Sequence, residues 1–366
     1  MHRISVHINF QFIKSIFPGV MLALVFCLFS QGINNLLAIE IFGTEKSPIS
    51  TVLIAILLGI LMGNAFTPRP GMMIGLDFTQ QYILKLGIIF LGIRLSFADF
   101  IKFGSIAIPL VIFCVLGVLI LIKLLIKKVP ISSKMSYLIA IGTSVCGATA
   151  IVATAPVINA KKTEVAYAIA NITLFGVIAM LIYPYFAEWY FKNDALEAGL
   201  FLGTSIHETS QVAAAGLIYD QQFNSPETLN VATVTKLIRN TFLVILIPLF
   251  AFLYNRGEVK DQKYSILSIF PYFVIGFIGM IIVRNLGDQL FLNENNNFHI
   301  WSKFIEYLKI LATVFLTMAM AAVGISINLN ELKSMGYKPF VVGLIAAVTV
   351  GIISLIYIET FKNFLI

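Results

Sequence analysis

Long apolar runs recur along the chain and are separated by short polar connections. A helix needs about 20 apolar residues to cross the hydrocarbon core of a bilayer. Eleven spans are expected on that measure, near residues 16–37, 49–66, 80–98, 104–126, 135–158, 164–186, 195–218, 229–254, 265–285, 304–327 and 339–360. The strict alternation of apolar and polar residues that marks a membrane β-barrel is missing. The pattern predicts an all-α polytopic membrane protein, residues 1–366 forming one integral domain. The longest polar connections are the Asn-rich stretch Asn293–Asn297 and the charged loop Asn255–Lys263, too short for a soluble domain. The first run, Ile16 to Leu37, follows Arg3 and Lys14 without a small-x-small cleavage site, and is read as a span rather than a leader.

Composition agrees. Hydrophobic residues make up 59% and charged residues only 12%, with a mean hydropathy of +0.93. That charged fraction is about half the soluble average, so lipid must cover much of the surface. The net charge of +7 reads as loop topology rather than nucleic-acid binding. With the N-terminus inside, inner loops hold Arg3, Lys14, Arg69, Lys123, Lys127, Lys128, Lys134, Lys192, Arg256, Lys260, Lys263, Lys333 and Lys338. Outer segments hold Lys46, Lys102, Lys161, Lys162, Arg284, Lys303 and Lys362. The excess favours N-in and C-out, with Lys161 and Lys162 voting against. Cys27, Cys114 and Cys146 lie in apolar stretches, which supports neither a disulfide framework nor a cysteine metal site.

Three polar interruptions stand where lipid would exclude them unless they face a cavity. The first, Gly142–Thr149, reads GTSVCGAT; its small residues permit unwinding, which would expose a half-helix N-terminus suited to an anion, or permit close helix packing. Thr143, Ser144, Cys146 and Thr149 are its candidate substrate contacts. The second, Gly203–Gly216, reads GTSIHETSQVAAAG and sets His207 and Glu208 in mid-span, candidates for proton or ion coupling. Ser205, Thr209, Ser210 and Gln211 are further candidate contacts there. Glu208 and Gln211, three apart, share a helix face; a buried structural hydrogen-bond pair is the alternative to the functional reading. The third, Thr233–Asn240, places Lys236 and Arg239 on one face with Asn240 beside them. Two cations so arranged suit a divalent or carboxylate-type anion; snorkelling to the interface is the alternative. Arg94 and Ser96 are candidates for the same cavity. Asn171 reads as a packing amide, and Gly59/Gly63 and Gly199/Gly203 as helix contacts.

Two internal similarities are visible. Gly92–Gly104 resembles Gly324–Gly336, in spans whose separation makes them antiparallel, as an inverted repeat requires. Gly142-Thr-Ser-Val-Cys-Gly-Ala-Thr resembles Gly203-Thr-Ser-Ile-His-Glu-Thr-Ser, yet the count makes those spans parallel. Both fit one inverted repeat only if a segment is re-entrant or miscounted; otherwise one match is coincidence.

His207 and Glu208 begin a near match to the zinc-protease helix H-E-x-x-H, but position 211 is Gln. The other histidines, His2, His7 and His299, are expected near the surface, so neither a metal site nor a cofactor is expected. No P-loop, nucleophile elbow or dinucleotide fingerprint occurs, which leaves an ion or substrate gradient as the energy source.

At GTSVCGATAI, GTSIHETSQVAAAG and TxxKLxRN the chain resembles the UPF0324, YeiH-like bacterial membrane proteins, often labelled sulfate exporters, over nearly its whole length. That family is similar to the bile acid symporter and cation/proton antiporter clan. The resemblance implies a bacterial cytoplasmic-membrane transporter with inverted repeats and broken, crossing helices. It implies Thr143–Thr149 as one broken helix, Ser205–Gln211 as the other, and Lys236, Arg239 and Asn240 lining the cavity between. The sulfate label comes from the family, not from these residues. The reading is a secondary transporter of a small inorganic or organic anion, not an enzyme, with the lipid bilayer as its other partner and a homo-oligomer left open. A cation/proton antiporter with Glu208 as exchange site, and a membrane enzyme or non-transporting scaffold, remain as alternatives.

Overall fold

The computed structural model describes residues 10–41, 47, 49–66, 68–125, 132–192, 194–254, 271–291, 295–328 and 337–365. The charged loop Asn255–Lys263, Asn293 and Glu294 of the Asn-rich stretch, and residues 329–336 of the Gly324–Gly336 match lie outside them. So do His2 and His7, and Arg3, Lys46, Lys127, Lys128, Arg256, Lys260, Lys263 and Lys333 of the loop charges.

Every regular element among the described residues is a helix. In chain order they are α1 (Phe10–Leu36), α2 (Thr51–Ala65), α3 (Pro70–Phe78), α4 (Leu84–Leu91), α5 (Phe97–Leu125), α6 (Ser133–Ser144), α7 (Ala148–Thr154) and α8 (Lys162–Phe191). Then follow α9 (Ala195–Ser205), α10 (Thr209–Phe223), α11 (Pro226–Thr241), α12 (Leu243–Tyr254), α13 (Phe273–Phe291), α14 (Asn295–Ser326) and α15 (Tyr337–Leu365). A π turn joins α3 to α4, and a 3-10 turn, Gly92–Arg94, follows α4. Eight helical stretches among the described residues are long and apolar enough to cross a membrane. The protein is thus an all-α polytopic membrane protein, and eight of the eleven expected spans have a helix of crossing length. Of the other three, α2 is a shorter apolar helix of 15 residues.

The chain divides into two compact units, residues 1–90 with 306–329, and residues 91–305 with 330–366. In the first unit α1 packs on α2 and α3. Gly59 and Gly63 bring α2 against the backbone of Ala321, Gly324 and Ile325, as their spacing predicts. The side-chain amide of Gln80 donates to the Ala322 carbonyl at 3.1 Å and the Ser326 hydroxyl at 2.7 Å.

The second unit holds the two remaining expected spans, and neither crosses. The segment 133–159 goes in as α6, breaks, and returns through α7. The Lys134 ammonium at its start donates to the Asn159 carbonyl at its end, at 2.7 Å. Ser132 donates to Glu164 in the first turn of α8. Gly142 on the inward arm lies against Ile151 on the return arm. A straight helix would set residues 134 and 159 about 37 Å apart at 1.5 Å per residue. The segment 195–223 behaves likewise. Gly199 and Gly203 of α9 pack on Val231 and Thr235 of α11, so α9 and α11 run parallel. Gly216 of α10 packs on Leu229, close to where α11 begins, so α10 runs back. The Thr228 hydroxyl donates to the Ala195 carbonyl at 3.3 Å, closing the mouth.

Both segments are re-entrant hairpins, and they enter from opposite ends of α8. The first has its mouth at the start of α8. The second has its mouth at the far end, where the Tyr219 hydroxyl of α10 donates to Glu188 at 2.6 Å. α8 has 30 residues, about 45 Å of helix, enough to separate the mouths by a membrane. α6 and α9, with 12 and 11 residues, reach about 17 Å, roughly half of a hydrocarbon core about 30 Å thick. The expected crossing of broken helices is therefore replaced by two hairpins meeting tip to tip. The parity conflict disappears with it. α6 and α9 run antiparallel, so the two GTS segments are related as an inverted repeat requires.

Candidate functional site

The tips form because the sequence stops each inward arm with residues that leave helical geometry. α6 ends at Val145 (φ −124°, ψ −92°), and Gly147 takes φ +69°, a backbone region that costs little only for glycine. The Gly147 amide closes back on the Gly142 carbonyl at 3.0 Å. α9 ends at Ile206 in extended conformation, and Glu208, also extended, begins α10 as its N-cap.

Each stop orphans the last carbonyls of an inward arm at mid-membrane, where no lipid can satisfy them. Lys236 and Arg239, one turn apart on α11, fill that need. The Lys236 ammonium donates to the carbonyls of Val145 at 2.9 Å, Ile206 at 3.1 Å, and His207. The Arg239 guanidinium donates to Ser144 at 2.7 Å, Thr204 at 2.6 Å, Ile206 at 3.0 Å, and Thr143. Both side chains are fully buried. Cations at helix C-termini complement the partial negative charge of two convergent helix ends. Snorkelling is thereby excluded for both, because their charged ends point into the unit. Their charge reaches the tips' surroundings chiefly as a field, since seven of their eight N–H donors are spent on carbonyls.

Glu208 lies on the amide side. Its side chain fills the notch left by the missing Cβ of Gly147, where an added Cβ would meet Glu208 Cγ at 2.4 Å. Its Oε1 accepts from the Ala148 amide at 3.4 Å, the start of the opposite return arm. The second tip is thus keyed into the first. Asn240 donates through Nδ2 to the Thr209 hydroxyl at 2.9 Å, at the first residue of α10.

Of the sequence candidates, Thr143, Ser144, Cys146, Thr149, Ser205, His207, Glu208, Thr209, Ser210, Lys236, Arg239 and Asn240 all lie at the tips or on α11 beside them. Cys146, Glu208 and Thr209 are half-buried and Thr149 is exposed, so these four form the open side of the cluster. Gln211 turns away, donating to the Thr173 carbonyl of α8 at 3.3 Å and accepting from the Glu208 amide at 3.2 Å. It is a buried structural partner. Arg94 and Ser96 are not at the tips: Arg94 pairs with Asp220 at 2.8 Å and Ser96 with Asp99 at 2.6 Å. Asp220 is eleven residues along α10 from Thr209, about 16 Å. Asn171 packs as expected, donating to the Pro339 carbonyl at 2.6 Å.

Several buried polar atoms at the tips have no hydrogen-bond partner: the hydroxyls of Thr143, Ser205 and Thr235, Asn240 Oδ1, and both ring nitrogens of His207, whose polar neighbour is the Ser205 backbone. Such orphans are rare in protein interiors, where buried polar groups are paired with protein or with ordered water. Thr235 does not stand out in the sequence, nor do Ser132, Asn159 and Glu164, which together with Lys134, one of the loop charges, close the first mouth. The polar run Asn159-Ala-Lys-Lys directly after a short apolar arm was the available signal.

The family model described as Conserved hypothetical protein 698 matches residues 18–343. The UPF0324 membrane protein of Streptococcus agalactiae serotype V is 33% identical over 344 residues, 93% of this chain and 95% of that protein. The chain belongs to the UPF0324 family. A Fusobacterium nucleatum UPF0324 membrane protein is 33% identical over 323 residues, 86% of this chain and 91% of that one. The UPF0324 inner membrane protein YeiH of Salmonella typhimurium is 33% identical over 304 residues, 81% of each. No solved structure matches the chain. The family assignment agrees with the resemblance carried by the GTS motifs and by Lys236 and Arg239, and those motifs are the two hairpin tips and the cations that join them.

Proposed function

We propose that this UPF0324 protein is a secondary transporter of a small anion, sulfate or sulfonate-like, bound at the tips of the two hairpins and coupled to protons. The observation that carries the reading is the charge balance at the tips. Lys236 and Arg239 contribute two positive charges against the single carboxyl of Glu208. A net positive cluster in a low-dielectric interior attracts an anion and repels a metal cation, which speaks against the cation/proton antiporter alternative. Re-entrant hairpins entering from both faces support the transport class, since irregular backbone at membrane depth is tolerated where it lines a cavity.

The face that each hairpin opens to follows from lysine placement in the second unit. Lys134, Lys161 and Lys162 surround the first mouth, and the connection into α6 carries Lys127 and Lys128. The second mouth has Lys192, and Lys362 pairs with Glu197 of α9 there. The positive-inside rule assigns the first mouth to the cytoplasm. Lys161 and Lys162 thereby move to the inner side and no longer oppose N-in and C-out. Two non-crossing segments leave the parity of the count unchanged. The setting proposed is the bacterial cytoplasmic membrane.

Proteoliposomes loaded with sulfate or a sulfonate test the reading. Downhill anion efflux, accelerated by a proton gradient running in the same direction, is the expected outcome. A proton-linked sodium or potassium flux indifferent to every anion would replace it with the antiporter.

A further inference from the structure

We infer, building on the anion reading, that Glu208 is a tethered occupant of the anion site, and that a substrate anion enters by displacing it as it takes up a proton. The tips carry two sets of compensating side chains, and they are held very differently. Lys236 and Arg239 are fully buried and make seven hydrogen bonds to tip carbonyls. Glu208 is half-buried, and its carboxyl meets only amides, accepting from Ala148 at a long 3.4 Å and standing over the Gln211 amide of its own helix as a capping-box side chain. The carbonyl side is fixed and the amide side is exchangeable.

What Glu208 covers is suited to an anion. α10 has 15 residues, and its N-terminal amides carry partial positive charge. Beside them the buried Asn240 amide is bonded to Thr209 on one side and has no partner on the other. The Thr209 hydroxyl both donates and accepts, so this amide can turn its nitrogen to a guest. An anion lodged here beside an ionised Glu208 would put like charges side by side in low dielectric. A proton on Glu208 removes that repulsion and releases the carboxyl from Ala148. The exchange is balanced: one proton enters with the anion, and the proton rests on a Glu208 oxygen. The groups facing Glu208 are Lys236 with Arg239 behind it on α11, Cys146 of the first tip and His207 of its own tip. α8 presents Gly176 and the Thr173 carbonyl to the neighbouring Gln211, and no charge.

The test is calorimetric titration of the purified full chain with sulfate, supplied as the choline salt, in buffers of differing ionisation enthalpy between about pH 5 and pH 8. Wild type is expected to take up about one proton per sulfate above the titration of Glu208, its affinity falling up to about tenfold per pH unit there. Glu208→Gln keeps the shape and carries no charge. It is expected to bind sulfate without proton uptake and with an affinity that no longer falls with pH. Sulfate binding to wild type without proton uptake, or uptake retained in Glu208→Gln, overturns the inference and leaves the anion reading standing. Absence of binding by sulfate and methanesulfonate at every pH, in both proteins, overturns the two together. The wild-type proton count decides the matter even if the variant fails to fold.

Discussion

The two hairpin tips begin alike and then diverge. Each inward arm ends in Gly-Thr-Ser, at 142–144 and 203–205, and each stops half-way through the membrane. The first tip continues Val145-Cys-Gly, small and uncharged, and reverses by backbone freedom at Gly147. The second continues Ile206-His-Glu and reverses between two residues in extended conformation, one of which supplies a carboxyl to the first tip. One tip provides the notch and the other provides what fills it. The helix after the first hairpin, α8, brings no charge to the tips, its Gly176 lying against Gln211 and its Asn171 packing on Pro339, whereas α11 after the second brings Lys236 and Arg239. An inverted repeat builds two similar scaffolds, and the chemistry is concentrated in one of them. The Gly-Thr-Ser segments position, and the residues after them decide what the site does.

Substitutions on the two sides should separate these roles. The largest effect is expected from Arg239→Ala, which strands carbonyls of both tips at once. About 3–5 kcal/mol of stability should be lost, read as a collapse of thermal stability in detergent. Arg239→Lys should recover only part, because an ammonium cannot reproduce the planar fork. Unchanged melting of Arg239→Ala would mean the tips are not joined through this side chain.

Gly147→Ala comes next, at about 1–3 kcal/mol, from the φ of +69° and the clash with Glu208. The combination with Glu208→Ala should return the steric part and leave the backbone part. Additive losses in the double variant would show that the two tips are not keyed together. Asn240→Ala touches only the second tip and should cost about 1 kcal/mol. Its larger consequence should be on sulfate affinity, with thermal stability nearly kept. The smallest effect belongs to the mouth of the second hairpin. Lys362→Ala breaks a pair whose lysine is 46% exposed and should change stability by less than about 1 kcal/mol.

Much of this was legible in the sequence because membranes penalise polar residues so heavily. GTSVCGAT and GTSIHETS announce themselves as interruptions, and Lys236 and Arg239 announce a need for partners. The direction of that need was not legible. A lysine and an arginine one turn apart serve an anion or a cluster of carbonyls equally well, and only the placement of the helix ends decides between them. The hairpins were hidden for a related reason. Residues 135–158 and 195–218 have the apolar length of a crossing, and hydropathy is blind to a reversal at mid-depth. The glycine pairs are legible from their spacing and Asn171 from its isolation in an apolar span, since packing leaves a local signature. Gln211 meets the Glu208 amide and the Thr173 carbonyl, the structural pairing that the sequence offers as the alternative to a substrate contact.

Topology gives the most direct test of the two-hairpin account. Cys27, Cys114 and Cys146 are first replaced, and single cysteines are then placed at Ser132, Ala160, Lys192 and Ser225. Each is labelled with a membrane-impermeant maleimide in intact cells and in inverted vesicles. Ser132→Cys and Ala160→Cys should react from one face, and Lys192→Cys and Ser225→Cys from the other. Labelling of positions 132 and 160 from opposite faces would mean that the segment between them crosses the membrane, and the meeting of two re-entrant tips at Lys236 and Arg239 would be wrong.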